Sequence, residues 1–112
     1  EEEETSGLNW IKGDIVRINP GVSSLKIPHM GWNELDIKKN SGVFKNINNK
    51  SHAYFIHSYE FLPKDKEVIF LSTNYGKDIV AAVCHENIYG SQFHPEKSQA
   101  TGIKILSNFL KI

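Results

Sequence analysis

A histidine and a glutamate stand two residues apart around a proline in the segment Gly90-Ser91-Gln92-Phe93-His94-Pro95-Glu96-Lys97-Ser98. Imidazole titrates near neutrality, and a carboxylate on one ring nitrogen fixes the tautomer that leaves the other nitrogen free to take a proton. His94 and Glu96 are therefore a candidate general base and its orienter, and the chemistry they imply needs a nucleophile. Proline holds its own φ at about −65° and biases the preceding residue toward extended backbone, where positions i and i+2 project to the same side. On that geometry the two side chains meet. The plainer alternative is that His94 ends a strand and Glu96 sits in the first turn of a helix, where the helix dipole favours a carboxylate. Three residues alone are a weak motif.

Cys84 is the one thiol in the sequence and so the first nucleophile to consider. If residues 79–84 and 88–93 form a hairpin, Cys84 lies at its turn end and His94 beyond its far end, roughly 20 Å away at the rise of a strand. Cys84 also lacks the glycine-flanked strand-to-helix elbow that exposes a nucleophile, so it reads as a small strand-end residue. His52 and His57 are five apart in a strand pattern and point to opposite faces. His29 and His85 have no partner at metal-ligand spacing, so neither a metal nor any other cofactor is expected. His57-Ser58-Tyr59 ends a strand with polar groups that suit a substrate pocket, or simply a strand end. Pro28-His29-Met30-Gly31-Trp32-Asn33 has the composition of a recognition loop, or of a loop pinned by a buried tryptophan.

The candidate pair must be held between a strand and a helix. Residues 79–83, Ile-Val-Ala-Ala-Val, are continuously apolar, as in a strand buried on both faces. The turns at 74–78 and 85–87 are short enough to require antiparallel neighbours at 67–73, 79–84 and 88–93. Further strands are expected at 14–18, closed by Asn19-Pro20-Gly21, at 25–28, and at 53–57, with Leu62-Pro63-Lys64-Asp65 as a break. Residues 34–50, rich in lysine and asparagine, read as short helical turns and loops. After Lys97, Ser98 is a plausible N-cap for a helix whose apolar Ile103, Leu106, Phe109 and Leu110 recur at helical spacing. About six strands and one helix leave one sheet face uncovered, so cover is expected from absent N-terminal sequence or a tightly bound partner. Glu1 to Glu4 followed by Thr5-Ser6-Gly7 resemble the last turn and stop of a helix, as if the chain begins inside a domain; a disordered acidic terminus is the alternative.

At 112 residues, with 39% hydrophobic and 23% charged content, the chain fits within one globular domain. Thirteen basic and thirteen acidic residues balance, which removes the positive field that draws nucleic acid. A single cysteine excludes an internal disulfide framework. No stretch has the length of a membrane span or the pattern of a signal peptide, so the cytoplasm is the expected compartment.

Taken in order and spacing, Ile27-Pro28-His29-Met30-Gly31-Trp32-Asn33, Tyr54-Phe55-Ile56-His57-Ser58-Tyr59 and the segment 90–98 resemble the glutaminase subunit of imidazole glycerol phosphate synthase, a class I (triad) glutamine amidotransferase of histidine biosynthesis. The resemblance runs from about Gly7 to the last helix. It implies a flavodoxin-like three-layer α/β domain of which residues 1–112 are the C-terminal part, rich in strands with one C-terminal helix. It implies His94 as triad base and Glu96 as its orienter, and Ser58 and Tyr59 as residues that hold glutamine. Lys97, His29, Trp32 and Asn33 match positions that face a (β/α)8-barrel synthase subunit, which receives the ammonia in a heterodimer. The family's nucleophilic cysteine and glycine-rich oxyanion loop lie upstream of the acidic stretch that residues 1–4 resemble, and neither is in these 112 residues. The chain alone is therefore expected to be inert. Two other readings stand beside this one: a truncated, non-catalytic module that binds the partner, and a glutaminase that delivers ammonia to a nucleotide sugar.

Overall fold

Eight strands, one α-helix and three single 3-10 turns are formed by the described residues, 11–21 and 25–111, of the computed structural model. The strands and helix are β1 (Gly13–Arg17), β2 (His29–Glu34), β3 (Asp36–Ile37), β4 (His52–His57), β5 (Tyr59–Pro63), β6 (Ile69–Asn74), β7 (Asp78–His85), β8 (Ile88–Ser91) and α1 (Gln99–Leu110). The acidic start of the chain and Gly7 lie outside the described residues. Every strand pair among them is antiparallel: β1 with β5, β2 with β4, and a four-stranded sheet in the order β3-β6-β7-β8. The hairpins β6–β7 and β7–β8 are those the short turns require. Gly76 makes the first turn with φ +81°, and a Cβ there would lie 2.3 Å from the Pro20 carbonyl oxygen, so only glycine fits.

One core joins these elements. Leu35, Phe44, Phe55, Leu71, Ala81, Ala82, Phe93 and Ile105 pack together out of solvent, each large side chain contributing about 1.5–3 kcal/mol by leaving water. In β7, Ile79, Ala81, Ala82 and Val83 are all buried, as their unbroken apolar run requires.

Four elements differ from the sequence pattern, the first being residues 25–28, which form no strand. Residues 29–34 form a strand rather than a loop, and their alternation puts His29 inward and Met30 and Trp32 outward. Residues 59–63 form β5 although Pro63 suggests a break; proline is tolerated because it closes the strand, opposite Gly13 in a two-stranded sheet. The helix buries Gly102, Ile105 and Asn108, not the apolar set Ile103, Leu106, Phe109 and Leu110, which stays exposed. Two contacts set that rotation: Asn108 donates through Nδ2 to the carbonyls of Val43 (3.0 Å) and Lys45 (2.8 Å), and Gly102 backs directly onto Pro95.

Candidate active site

Backbone hydrogen bonds fix His94 before its side chain is considered. Its N–H donates to the Tyr54 carbonyl at 2.9 Å, which ties the end of the β8 segment to the middle of β4. Its own carbonyl accepts from the Ser98 hydroxyl at 2.7 Å, and that hydroxyl oxygen accepts the Tyr54 N–H at 3.0 Å. Ser98 is 1% exposed and stands at the start of α1. Instead of capping its own helix in the usual manner, its side chain closes a loop between strand, turn and helix.

Pro95–Lys97 is a single 3-10 turn, with His94 extended at its N-cap (φ −97°, ψ 102°). Glu96 therefore does not reach His94 by the extended i, i+2 geometry; the turn curls it back. Proline favours this arrangement because the first position of a helical turn needs no N–H and suits its fixed φ. His94 Nδ1 lies 3.4 Å from Glu96 Oε2, and both side chains are partly open to solvent. The contact is longer than an ordinary hydrogen bond, and because it engages Nδ1 it leaves His94 Nε2 as the nitrogen not facing the carboxylate.

Cys84 sits across from Tyr89 at the turn end of the β7–β8 hairpin, away from His94 as the hairpin geometry requires. Its Sγ lies 3.6 Å from the Glu86 carbonyl oxygen, and burial pushes the thiol pKa up, which favours the protonated and unreactive form. Among the described residues no cluster of three or more His, Cys, Asp or Glu side chains forms a metal site.

Ser58 and Tyr59 form the corner between β4 and β5. The Ser58 carbonyl accepts the Ile18 N–H at 2.9 Å, and the Tyr59 carbonyl faces His57 Nδ1 at 2.9 Å. Ser58 lies four residues along the strand from Tyr54, the residue that anchors His94, a span of roughly 13 Å by strand rise.

The expected interface residues separate into two groups. Trp32 meets the Tyr54 ring edge-on with centroids 5.8 Å apart, and Lys97 Nζ lies 5.8 Å from the centroid of the same ring. Met30 and Ile56, paired across β2 and β4, are 59% and 39% exposed and extend this surface, with Trp32 at 49%. The antiparallel pair thus carries an apolar and aromatic face topped by a cation, beside the His94 turn. His29, which the resemblance put at the partner interface, is on the other side and only 3% exposed. It is stacked between Phe55 and Tyr75, with its Nδ1 2.8 Å from His57 Nε2. Asn33 also turns inward, its Nδ2 3.2 Å from His29 Nε2 and 2.8 Å from the Asn74 carbonyl oxygen.

Residues 9–112 match the protein family described as glutamine amidotransferase class-I. The chain belongs to this family. Its relatives include the imidazole glycerol phosphate synthase subunit HisH of Pelagibacter ubique (strain HTCC1062), 54% identical over 112 residues that cover all of this chain and 54% of that protein. The subunit HisH of Azospirillum brasilense is 49% identical over 106 residues, covering 95% of this chain and 55% of the relative. This amidotransferase chain thus spans about half the length of the curated relatives it matches. A solved structure from Thermoplasma acidophilum, described as a putative GMP synthase subunit, superposes with a TM-score of 0.70 at 20% identity, over 88% of this chain and 47% of the other. The strand-rich fold with its C-terminal helix is therefore one found in a solved protein.

Around the amidotransferase motifs, sequence reasoning missed three residues. Tyr54 joins His94 to the exposed face, Ser98 locks the turn, and His57 pairs with His29. The first two were unreadable because they act through cross-strand hydrogen bonds. The histidine pair becomes visible only once β2 and β4 are set in register, which brings His29 opposite His57.

Proposed function

We propose that this chain carries the acid–base half of a glutaminase site, in the subunit that supplies ammonia to imidazole glycerol phosphate synthase in histidine biosynthesis. The observation that carries the reading is the His94–Glu96 contact with Nε2 left free on a backbone fixed from two sides. Family membership supports the reaction class, and the names of the relatives support the pathway.

In this reading Glu96 holds the Nδ1–H tautomer, so the Nε2 lone pair takes the proton of a cysteine thiol supplied from outside residues 1–112. The thiolate attacks the side-chain amide carbon of glutamine. His94 then returns the proton to the departing nitrogen, which leaves as ammonia, and water hydrolyses the glutamyl thioester to glutamate. Cys84 takes no part, and residues 1–112 alone are inert. Ser58 and Tyr59 hold the substrate. Trp32, Tyr54 and Lys97, with Met30 and Ile56 beside them, dock a (β/α)8-barrel synthase subunit, and the apolar, aromatic and cationic character of that face suits a protein partner. Asn33 and His29 lie behind that face rather than on it. The complex works in the cytoplasm.

The test is glutamine hydrolysis by the protein at its full gene-encoded length, mixed with the barrel subunit. His94→Asn should abolish turnover while Cys84→Ser leaves it intact. Loss of activity in C84S, or full activity in H94N, would overturn the assignment.

A further inference from the structure

Behind the exposed face of β2 and β4 runs a chain of hydrogen bonds whose direction is set at both ends by groups that cannot reverse. At one end the Tyr59 carbonyl can only accept, so His57 Nδ1, 2.9 Å away, carries a proton. At the other end the Asn74 carbonyl accepts from Asn33 Nδ2 at 2.8 Å, and Asn33 Oδ1 accepts the Glu34 N–H at 2.8 Å, which orients the amide from both sides. Asn33 therefore presents N–H to His29 Nε2 at 3.2 Å, and that nitrogen must be a lone pair. His29 then carries its proton on Nδ1 and donates to His57 Nε2 at 2.8 Å. Both rings are thereby neutral and both are the Nδ1–H tautomer, with every hydrogen bond pointing from Asn33 toward Tyr59. The stacking of His29 between Phe55 (centroids 4.8 Å) and Tyr75 (4.1 Å) holds the middle of the chain in place.

We propose that His29 and Asn33 are positioning residues for the glutamine-binding corner, holding the Ser58-Tyr59 backbone through the tautomer they impose on His57. The proposal rests on the glutaminase reading of that corner. Neither residue touches substrate; both act through the ring of His57 and the carbonyl of Tyr59. Burial, and after it the neighbouring His57, lowers the His29 pKa to about 4, so that ring stays neutral at the pH of the reaction.

The experiment has two arms on the full-length protein in complex with the barrel subunit. Imidazole 15N NMR should find Nδ1 protonated and Nε2 bare in both His29 and His57, although free histidine prefers the opposite tautomer. His29→Phe keeps the ring between Phe55 and Tyr75 but removes the donor to His57. It should raise the KM for glutamine about tenfold, the scale of one lost buried hydrogen bond, and change kcat less than about threefold. His29→Gln, which retains a donor and an acceptor, should recover part of that loss; a merely structural role predicts equal stability losses and no such split. An Nε2–H tautomer at either ring, or an unchanged KM in H29F, overturns the proposal. The NMR arm needs no turnover: two Nδ1–H rings in a protein without glutaminase activity would support the hydrogen-bond chain and refute the functional reading alone.

Discussion

Replacing Gly102 with alanine should damage the site from behind. The α1 backbone approaches the His94 turn so closely that a Cβ on Gly102 would lie 1.7 Å from the Pro95 carbonyl oxygen and 2.7 Å from its carbon. Real Cβ contacts essentially never fall below 3.0 Å, so helix and turn must separate by at least 1.3 Å, and the atoms in the way are backbone that no rotamer change can clear. Overpacking of this kind costs up to about 3 kcal/mol. Alanine returns about 1 kcal/mol through its better helix propensity, which leaves a net loss of about 2 kcal/mol. Catalysis should suffer more than stability. Pro95 lies between His94 and Glu96, and displacing a catalytic group by about 1 Å can cost a hundredfold in rate. Urea unfolding and steady-state glutaminase kinetics measure the two effects. Lys104→Ala, exposed on the same helix, is the control and should change stability by less than about 0.5 kcal/mol. A Gly102→Ala protein as stable and as active as the parent would refute the argument that this close approach holds the turn.

Glu96→Gln should lower kcat about ten- to hundredfold and leave the KM for glutamine within about twofold, because an orienter acts on the base and not on the substrate; a change confined to KM would contradict that role. Trp32→Ala and Lys97→Met should each weaken docking at least tenfold when the barrel subunit is titrated in by calorimetry, as expected for an aromatic anchor and a neighbouring cation, with circular dichroism unchanged. Stability should fall on acidification because of His29. Its folded pKa is about 4 against an ordinary 6.5, so between those values the unfolded chain binds the extra proton and unfolding is favoured as pH drops. The contribution is complete above pH 6.5 and gone below pH 4, and His29→Phe should remove it from the pH dependence of the urea midpoint.

The second half of the fold was legible because its signals are local. The apolar run of β7, the short turns on either side and the cap-like Ser98 each speak through their immediate neighbours, and the hairpins and helix lie where those signals put them. The first half was legible only in part: β1 and β4 lie where their β-rich runs put them, whereas β2 does not follow from its residues. Gly31 and Asn33 are poor strand formers, and residues 29–34 become a strand only by pairing with β4. Helical spacing located α1 but chose the wrong face, since its rotation is decided by a glycine and an asparagine that hydrophobicity ignores. The His94–Glu96 pairing was readable from three residues, yet the turn that accomplishes it was not. His29 is buried because residues 29–34 form a strand, and a strand paired on a core has an inner face.

The two-sided ribbon of β2 and β4 makes register itself a functional property. A slip of one residue along β2 would carry Trp32 and Met30 into the core and expel His29 and Asn33 into water. The proposed docking surface and the proposed substrate corner would be lost together, although no side chain had been altered. The ribbon therefore has no neutral misfolded neighbour: on the proposed reading a pairing error costs function on both faces at once, and the interlocked histidines and asparagine on its inner side reject the shifted pairing because none of them would find its partner.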